Sequence, residues 1–151
     1  MPLPVIKIRS FTLRDQKAVV KLWNASGLVV PVNDPLEDIR RKLKVQPKLF
    51  LIAEKNGQVV GTVMGGYDGH RGWINYLAVK PKLQQSGIGR LLMEKIEIRL
   101  QKMGCPKINL QIRESNSSVA AFYERIGYSR DRVISYGKRL VRDEKPKNKH
   151  R

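Results

Sequence analysis

The sequence predicts an α+β fold built on one central sheet, mixed but mostly antiparallel, of about 6–7 strands with about 4 helices. Short apolar runs of strand length alternate with longer stretches whose apolar residues recur every three or four positions. Asn56-Gly57 joins two of the strand-like runs, and that dipeptide suits a two-residue hairpin because both central positions need positive φ. Leu77-Ala-Val-Lys-Pro then leads through a polar loop to Gly87-x-Gly89, where the longest amphipathic stretch opens.

Each element has a local reason. Val5 to Phe11 alternates in polarity and reads as the first strand. Thr12-x-x-Asp15 resembles a helix start, Ala18, Val19, Leu22 and Trp23 continue it on one face, and Gly27 ends it. Asp34-Pro35-Leu36-Glu37 opens a second helix with an N-cap acid, proline at the first helical position and a carboxylate three residues on. That helix carries Leu36, Ile39 and Leu43, and it stops before Pro47. Its other face, Arg40, Arg41, Lys42 and Lys44, is expected to be wet.

Leu49 to Lys55 and Val59 to Met64 flank the Asn56-Gly57 turn. Asp68-Gly69-His70-Arg71-Gly72 is a second turn, so Trp73 to Val79 completes an antiparallel meander of three strands. The next helix repeats Ile88, Leu91, Leu92, Ile96, Leu100 and Met103 and ends at Gly104, with Pro106 behind it. Lys107 to Ile112 is a strand with Ile108, Leu110 and Ile112 on one face. Asn116 caps a helix over Val119, Ala120, Phe122, Tyr123 and Ile126, closed by Gly127. Tyr128 to Ser129 and Val133 to Leu140 are read as the last strands. Residues 1–141 thus form one domain, and residues 142–151 are a basic tail without apolar pattern, expected to be disordered.

A chain of 151 residues with 41% hydrophobic content can bury a core of its own. No apolar run reaches the roughly 18 residues of a membrane span, and the N-terminus lacks the layout of a signal peptide. The single cysteine, Cys105, excludes an internal disulfide and is read as a packing residue between Gly104 and Pro106. A cytoplasmic protein is expected. The formal net charge of +17 creates a field that attracts anions, such as phosphorylated cofactors, acidic peptides or nucleic acid. The stretch Lys138 to Arg151 alone sets seven Lys/Arg against Asp143 and Glu144. A solvated basic surface is the plainer account of the same charge.

The strand–loop–helix at Leu77 to Leu92 is a device for holding an anion. The first N–H groups of a helix have no intrahelical partner, the macrodipole adds positive potential there, and glycines let an anion approach the backbone.

That stretch, with Gln84-x-x-Gly87-x-Gly89, resembles the acyl-CoA-binding signature of the GNAT superfamily of N-acetyltransferases. A second block, with Asn116, Ala120, Phe122, Tyr123, Gly127 and Tyr128, is similar to that superfamily's other cofactor motif. The resemblance extends to about Leu140, and Asn33-Asp34-Pro35 and Gly65 to Gly72 look like stretches of the bacterial YpeA group, beside the ribosomal-protein-alanine acetyltransferases. It implies the GNAT fold, an α/β three-layer sandwich with a splayed strand pair that binds acyl-CoA. It also implies acetyl-CoA as co-substrate, with no metal, and an amine acceptor as partner. Leu77, Ala78 and Val79 would pair with the pantetheine arm, and Gln84, Gln85, Ser86, Gly87, Ile88, Gly89 and Arg90 would cradle the pyrophosphate. Gln85 stands where many members have glycine. Lys82 and Arg90 would face the phosphates, Asn116 would orient the arm, and Tyr123 would be the acid for the leaving sulfur, with a backbone donor such as the Val79 N–H on the oxyanion. Gly87 as a simple turn residue and Asn116 as a simple helix cap remain structural readings of the same positions.

The base is where the sequence departs from that family. Ribosomal-protein acetyltransferases place a glutamate where this chain has Gln111, which takes no proton; Glu114 falls in a loop, and Asn75 is uncharged. Asp68 and His70 are read as turn residues before acceptor-site residues. Freeing a lysine ε-amine of pKa about 10.4 at neutral pH costs about 4–5 kcal/mol, against about 1–1.4 kcal/mol for an α-amine near 7.7–8.0. The expected reaction is therefore acetyl transfer to a primary amine, with a small molecule or a peptide N-terminus favoured over a lysine side chain. The alternatives are a CoA-binding regulatory or adaptor protein and a basic nucleic-acid-binding module. The latter is disfavoured because aromatic residues are only 7% and scattered, with no recognition-helix pattern. A monomer or a homodimer is expected.

Overall fold

In the computed structural model, which describes residues 5–143, five strands form one sheet in the order β1-β2-β3-β4-β5. They are β1 (Ile6–Ser10), β2 (Phe50–Lys55), β3 (Gln58–Tyr67), β4 (Gly72–Val79) and β5 (Ile108–Leu110). The helices are α1 (Gln16–Ala25), α2 (Pro35–Lys44), α3 (Ile88–Lys102) and α4 (Ser117–Arg125). The first three junctions are antiparallel, and β4 pairs with β5 in parallel.

The local signals act as the sequence suggests at most boundaries. Asn56 and Gly57 take φ of +52° and +76°, the left-handed pair that a primed hairpin turn requires. Asp34 accepts the Leu36 N–H ahead of Pro35, as an N-cap should. Thr12 to Asp15 forms a capping box, but it closes a 3-10 turn (Leu13–Asp15), and α1 proper begins at Gln16.

Two apolar layers flank the sheet. On one side the helical spacing from Ile88 to Leu100 becomes contact: Ile88, Leu92, Met93, Ile96 and Leu100 of α3 pack on Leu51, Ala53, Val63 and Ile74. On the other, Val19, Leu22 and Trp23 of α1 and Ile39 of α2 cover Phe50, Ile52 and Met64. This alternation of sides along β2 and β3 is the pleat placing successive residues on opposite faces.

The strand count is corrected downward from six or seven. Tyr128 to Ser129 and Val133 to Leu140 are not strands. β5 shrinks to three residues, and the segment beyond α4 meets it by side chains: Lys107 and Asn109 bond Asp131, and Gln111 donates to Ser135. Val133, Ile134, Tyr136 and Leu140 stay exposed, so β propensity finds no backbone ladder or packing surface to reward it. Asp143, placed in the tail by composition, is buried and ion-paired to Arg41. Residues 144–151, His150 among them, lie outside the described residues.

Candidate functional site

β4 and β5 pair only through Gly72, Trp73 and Ile74, opposite Ile108, Asn109 and Leu110. From Asn75 to Val79 the β4 edge turned away from β3 has no strand partner, so the sheet opens into a slot there. The opening coincides with an irregularity. Between Met64↔Asn75 and Thr62↔Ala78 the register shifts, and Tyr76 takes a φ of +52°. A bulky side chain in the left-handed region costs free energy unless its surroundings over-determine it.

The surroundings here are specific. The Tyr76 carbonyl accepts the Thr62 hydroxyl at 2.8 Å, and that hydroxyl accepts the Trp23 indole N–H at 2.9 Å. The Tyr76 ring stacks on Trp23, and its hydroxyl donates to Asp38 on α2 at 2.5 Å. Burial and the Asp38 carboxylate push the Tyr76 phenol well above its ordinary pKa. Sequence reading missed this bulge and Tyr76 with it, because β-bulges of this kind are set by tertiary partners.

Beyond the open edge, a 3-10 turn (Pro81–Leu83) leads to the glycine loop. Leu77 and Val79 are half-buried against the α3 layer, and Ala78 is buried in the opposite one. Gln84, Gln85, Ser86, Gly87 and Arg90 are exposed, Ile88 anchors the start of α3 in the core, and Gly89 lies between. Gly87 is the N-cap of α3 at φ +89°, with no side-chain cap on the helix and open space where a Cβ would stand. Gln85 also takes a positive φ, +65°, without glycine's freedom. The first-turn N–H groups therefore face outward uncapped, a cradle that fits an anion. Ser86 bonds back to the Leu83 carbonyl, Gln84 reaches the Val79 carbonyl at 3.4 Å, and Arg90 pairs with Glu94 at 3.2 Å.

α4 packs across this region. A Cβ on Gly89 would sit 3.3 Å from the Phe122 ring, so the missing side chain sets how closely α3 and α4 approach. Asn116 spends its carbonyl oxygen on the Val119 N–H and the Ser118 hydroxyl, as a helix cap. Tyr123 is 7% exposed, edge-on to Phe122 and to Tyr128, and its hydroxyl bonds no other described residue. Burial raises its pKa, so the phenol stays protonated at neutral pH. The neighbouring Tyr128 hydroxyl is by contrast committed to Glu97 at 2.9 Å.

On the other side of the bulge lies a cleft of about 520 Å³, lined by Leu28, Val30, Met64, Asn75 and Tyr76 together with charged residues of α2 and Arg113. Arg41 holds Asp38 at 3.1 Å and Asp143, whose second oxygen accepts the Asp34 N–H at 2.9 Å. The Arg41 guanidinium and then the Asp34 N–H keep Asp143 below its ordinary pKa. Lys42, expected on a wet face, is 8% exposed and donates to the Gly65 carbonyl. The correction has a physical source: Lys42 lies three residues after buried Ile39, on the face that turns toward the sheet. That spacing was the signal by which the sequence could have revealed it.

Gln111 is tied to Ser135, Glu114 is exposed, and Asp68 accepts the His70 and Arg71 N–H groups as a turn residue at the Gly72 end of β4, away from the open edge. Cys105 packs its sulfur where a Gly72 side chain would stand. Among the described residues no cluster of three His, Cys, Asp or Glu could hold a metal, and no helix is long and apolar enough to cross a membrane.

The sequence profile of the acetyltransferase (GNAT) family matches residues 17–128. The fold is shared with solved structures of low identity. An aminoglycoside N-acetyltransferase, AAC(6')-Iy, in complex with CoA is 18% identical, with a TM-score of 0.76 over 91% of this chain and 97% of that one. Glucosamine-6-phosphate N-acetyltransferase from Arabidopsis thaliana is 22% identical, with a TM-score of 0.66 over 91% and 99%. The ribosomal-protein-S18-alanine N-acetyltransferase from Escherichia coli is 22% identical, with a TM-score of 0.67 over 82% and 77%.

Proposed function

The chain belongs to the acetyltransferase (GNAT) family, and from that premise we propose that it moves an acetyl group from acetyl-CoA to a primary amine by direct attack. The observation that carries this reading is the open β4 edge from Asn75 to Val79 running into the uncapped N-terminus of α3. A pantetheine arm is rich in amides and can complete the unpaired edge at Leu77, Ala78 and Val79. The pyrophosphate then falls on the Gln84 to Arg90 loop, with Lys82 and Arg90 nearby, and Asn116 borders the arm through its free amide nitrogen.

The amine lone pair attacks the thioester carbonyl carbon, the new C–N bond forms, and the C–S bond breaks to release the CoA thiolate. The amine's proton leaves to water. N–H groups of the open β4 edge meet the oxyanion, and the Tyr123 hydroxyl donates to the departing sulfur. A phenol near 10 is already a weaker acid than an ordinary thiol near 8.5, and burial raises the Tyr123 pKa further, so complete proton transfer from the phenol is uphill. Tyr123 therefore stabilises the thiolate as a hydrogen-bond donor, and solvent supplies the final proton. Gln111 holds no carboxylate, and Asp38, the one carboxylate that lines the cleft among the described residues, is engaged by Tyr76 and Arg41, so an acceptor with a low-pKa amine is favoured: a small molecule or a peptide N-terminus.

Thiol release from acetyl-CoA with a panel of amines and short peptides tests this reading. Turnover with α-amines or other weakly basic amines is the expected result. Stabilisation of the fold by acetyl-CoA without turnover of any amine would instead mark a CoA-binding adaptor, and exclusive ε-acetylation of lysine would overturn the α-amine preference.

A further inference from the structure

The cleft beside the bulge holds more positive charge than its own carboxylates consume. Of its charged lining residues, Arg41, Lys42 and Arg113 are cationic and Asp38 is anionic. Asp38 is engaged by Tyr76 and Arg41, and Asp143, behind Arg41, by Arg41 and the Asp34 N–H. Lys42 and Arg113 have no carboxylate partner among the described residues. Lys42 matters most: an ammonium carries three donors, its only bond here goes to the Gly65 carbonyl, and the side chain is more than nine-tenths buried at 8% exposure. Burial without a counter-ion disfavours the charged form and lowers its pKa. An anion brought into the cleft relieves that cost.

We propose that the amine acceptor carries an anionic group, a carboxylate or a phosphate, which docks on Lys42 and Arg113 while its amine faces the bulge at Tyr76. The proposal rests on the acetyl-transfer reading above. It also sets a length. Gly65 pairs with Ile74, two residues before Tyr76, so the Lys42 end of the cleft lies roughly 7 Å along the strand from the bulge. An acceptor that spans it separates amine and anion by several bonds, as a dipeptide or a phosphorylated amino sugar does and a free α-amino acid does not. A cleft of about 520 Å³ takes a molecule of that size. Polycationic acceptors meet the wrong sign of charge.

The test uses the full chain, acetyl-CoA and two matched acceptor pairs: Ala-Gly against its C-terminal amide, and glucosamine 6-phosphate against glucosamine. At least one charged acceptor should exceed its neutral counterpart by about tenfold or more in kcat/KM, and the pair that responds distinguishes carboxylate from phosphate. Lys42→Met should bring that ratio close to one. Arg113→Gln, at an exposed position whose loss does not disturb the core, should lower it severalfold even if Lys42→Met fails to fold. Neutral acceptors turned over as well as charged ones would overturn the proposal and leave acetyl transfer standing. A panel in which no amine releases thiol would overturn acetyl transfer and this proposal together.

Discussion

The indole of Trp23 stacks on the ring of Tyr76 with centroids 3.8 Å apart and planes 16° from parallel. The contact joins α1 to the irregular point of β4, and Thr62 completes it by bonding both residues at once. Thr62→Val keeps the shape but leaves the buried indole N–H and the Tyr76 carbonyl without a partner. It should cost about 2 kcal/mol, read as a fall of roughly 6 °C in Tm, and should reduce acetyl transfer beyond what the lost stability explains. An unchanged Tm with full activity would show that stacking alone holds the bulge.

Tyr123→Phe removes a hydroxyl that no other described residue bonds, so the fold should be almost indifferent to it. Turnover at saturating substrates should fall about a hundredfold while acetyl-CoA affinity is kept, measured by thiol release and by titration of the cofactor.

The pH profile follows from the same tyrosine. Below the acceptor's pKa, kcat/KM should climb about tenfold per unit as more amine is free, levelling near pH 8 for a peptide N-terminus. The donor must stay protonated, and burial shifts the Tyr123 pKa upward, so no alkaline decline should appear by about pH 10. A decline beginning near pH 9 would assign the donor to another group.

Adjacent glycines on β3 should respond in opposite ways. A Cβ on Gly65 would lie 2.8 Å from Cγ1 and Cδ1 of fully buried Ile96, whereas one on Gly66 would make ordinary contact at 3.8 Å with Gln46 and Lys42. Gly65→Ala should destabilise the fold by about 2 kcal/mol in chemical denaturation, and Gly66→Ala by well under about 1 kcal/mol.

Acid stability should depend on Asp15. Its carboxylate accepts two Arg9 bonds, at 2.7 and 2.8 Å, and the Thr12 N–H, which together hold its pKa below the ordinary value. A depressed folded pKa contributes stability that is present above the unfolded value near 3.9 and is lost as pH falls through the folded one. Asp15→Asn should lower Tm at neutral pH and flatten the drop in stability below about pH 4.

Elements governed by their own residues were legible: the Asn56-Gly57 hairpin, the Asp34-Pro35 start of α2, and the Gly87 opening of α3. The glycine loop and Tyr123 could be singled out for the same reason, since both lie within short contiguous motifs. The bulge at Tyr76 could not, because its conformation is fixed by Thr62 and Trp23, distant in sequence. Val133 to Leu140 misled because its composition favours a strand while its neighbours supply no ladder. Lys42 misled in the other sense: four basic residues in five positions suggest water, yet helical phase turns one of them inward.

The tie from Asp143 to Arg41 and to the Asp34 N–H spans more than a hundred positions of sequence. Its consequence is one of timing. During synthesis the α2 wall of the cleft is made early, with Arg41 already beside Asp38, but its guanidinium gains its second carboxylate only when position 143 has left the ribosome. The glycine loop and α4 are complete in sequence before that brace exists, so the cleft beside the bulge is the last of these parts to be tied down. Chains cut short just before Asp143 should capture the donor and choose poorly among acceptors.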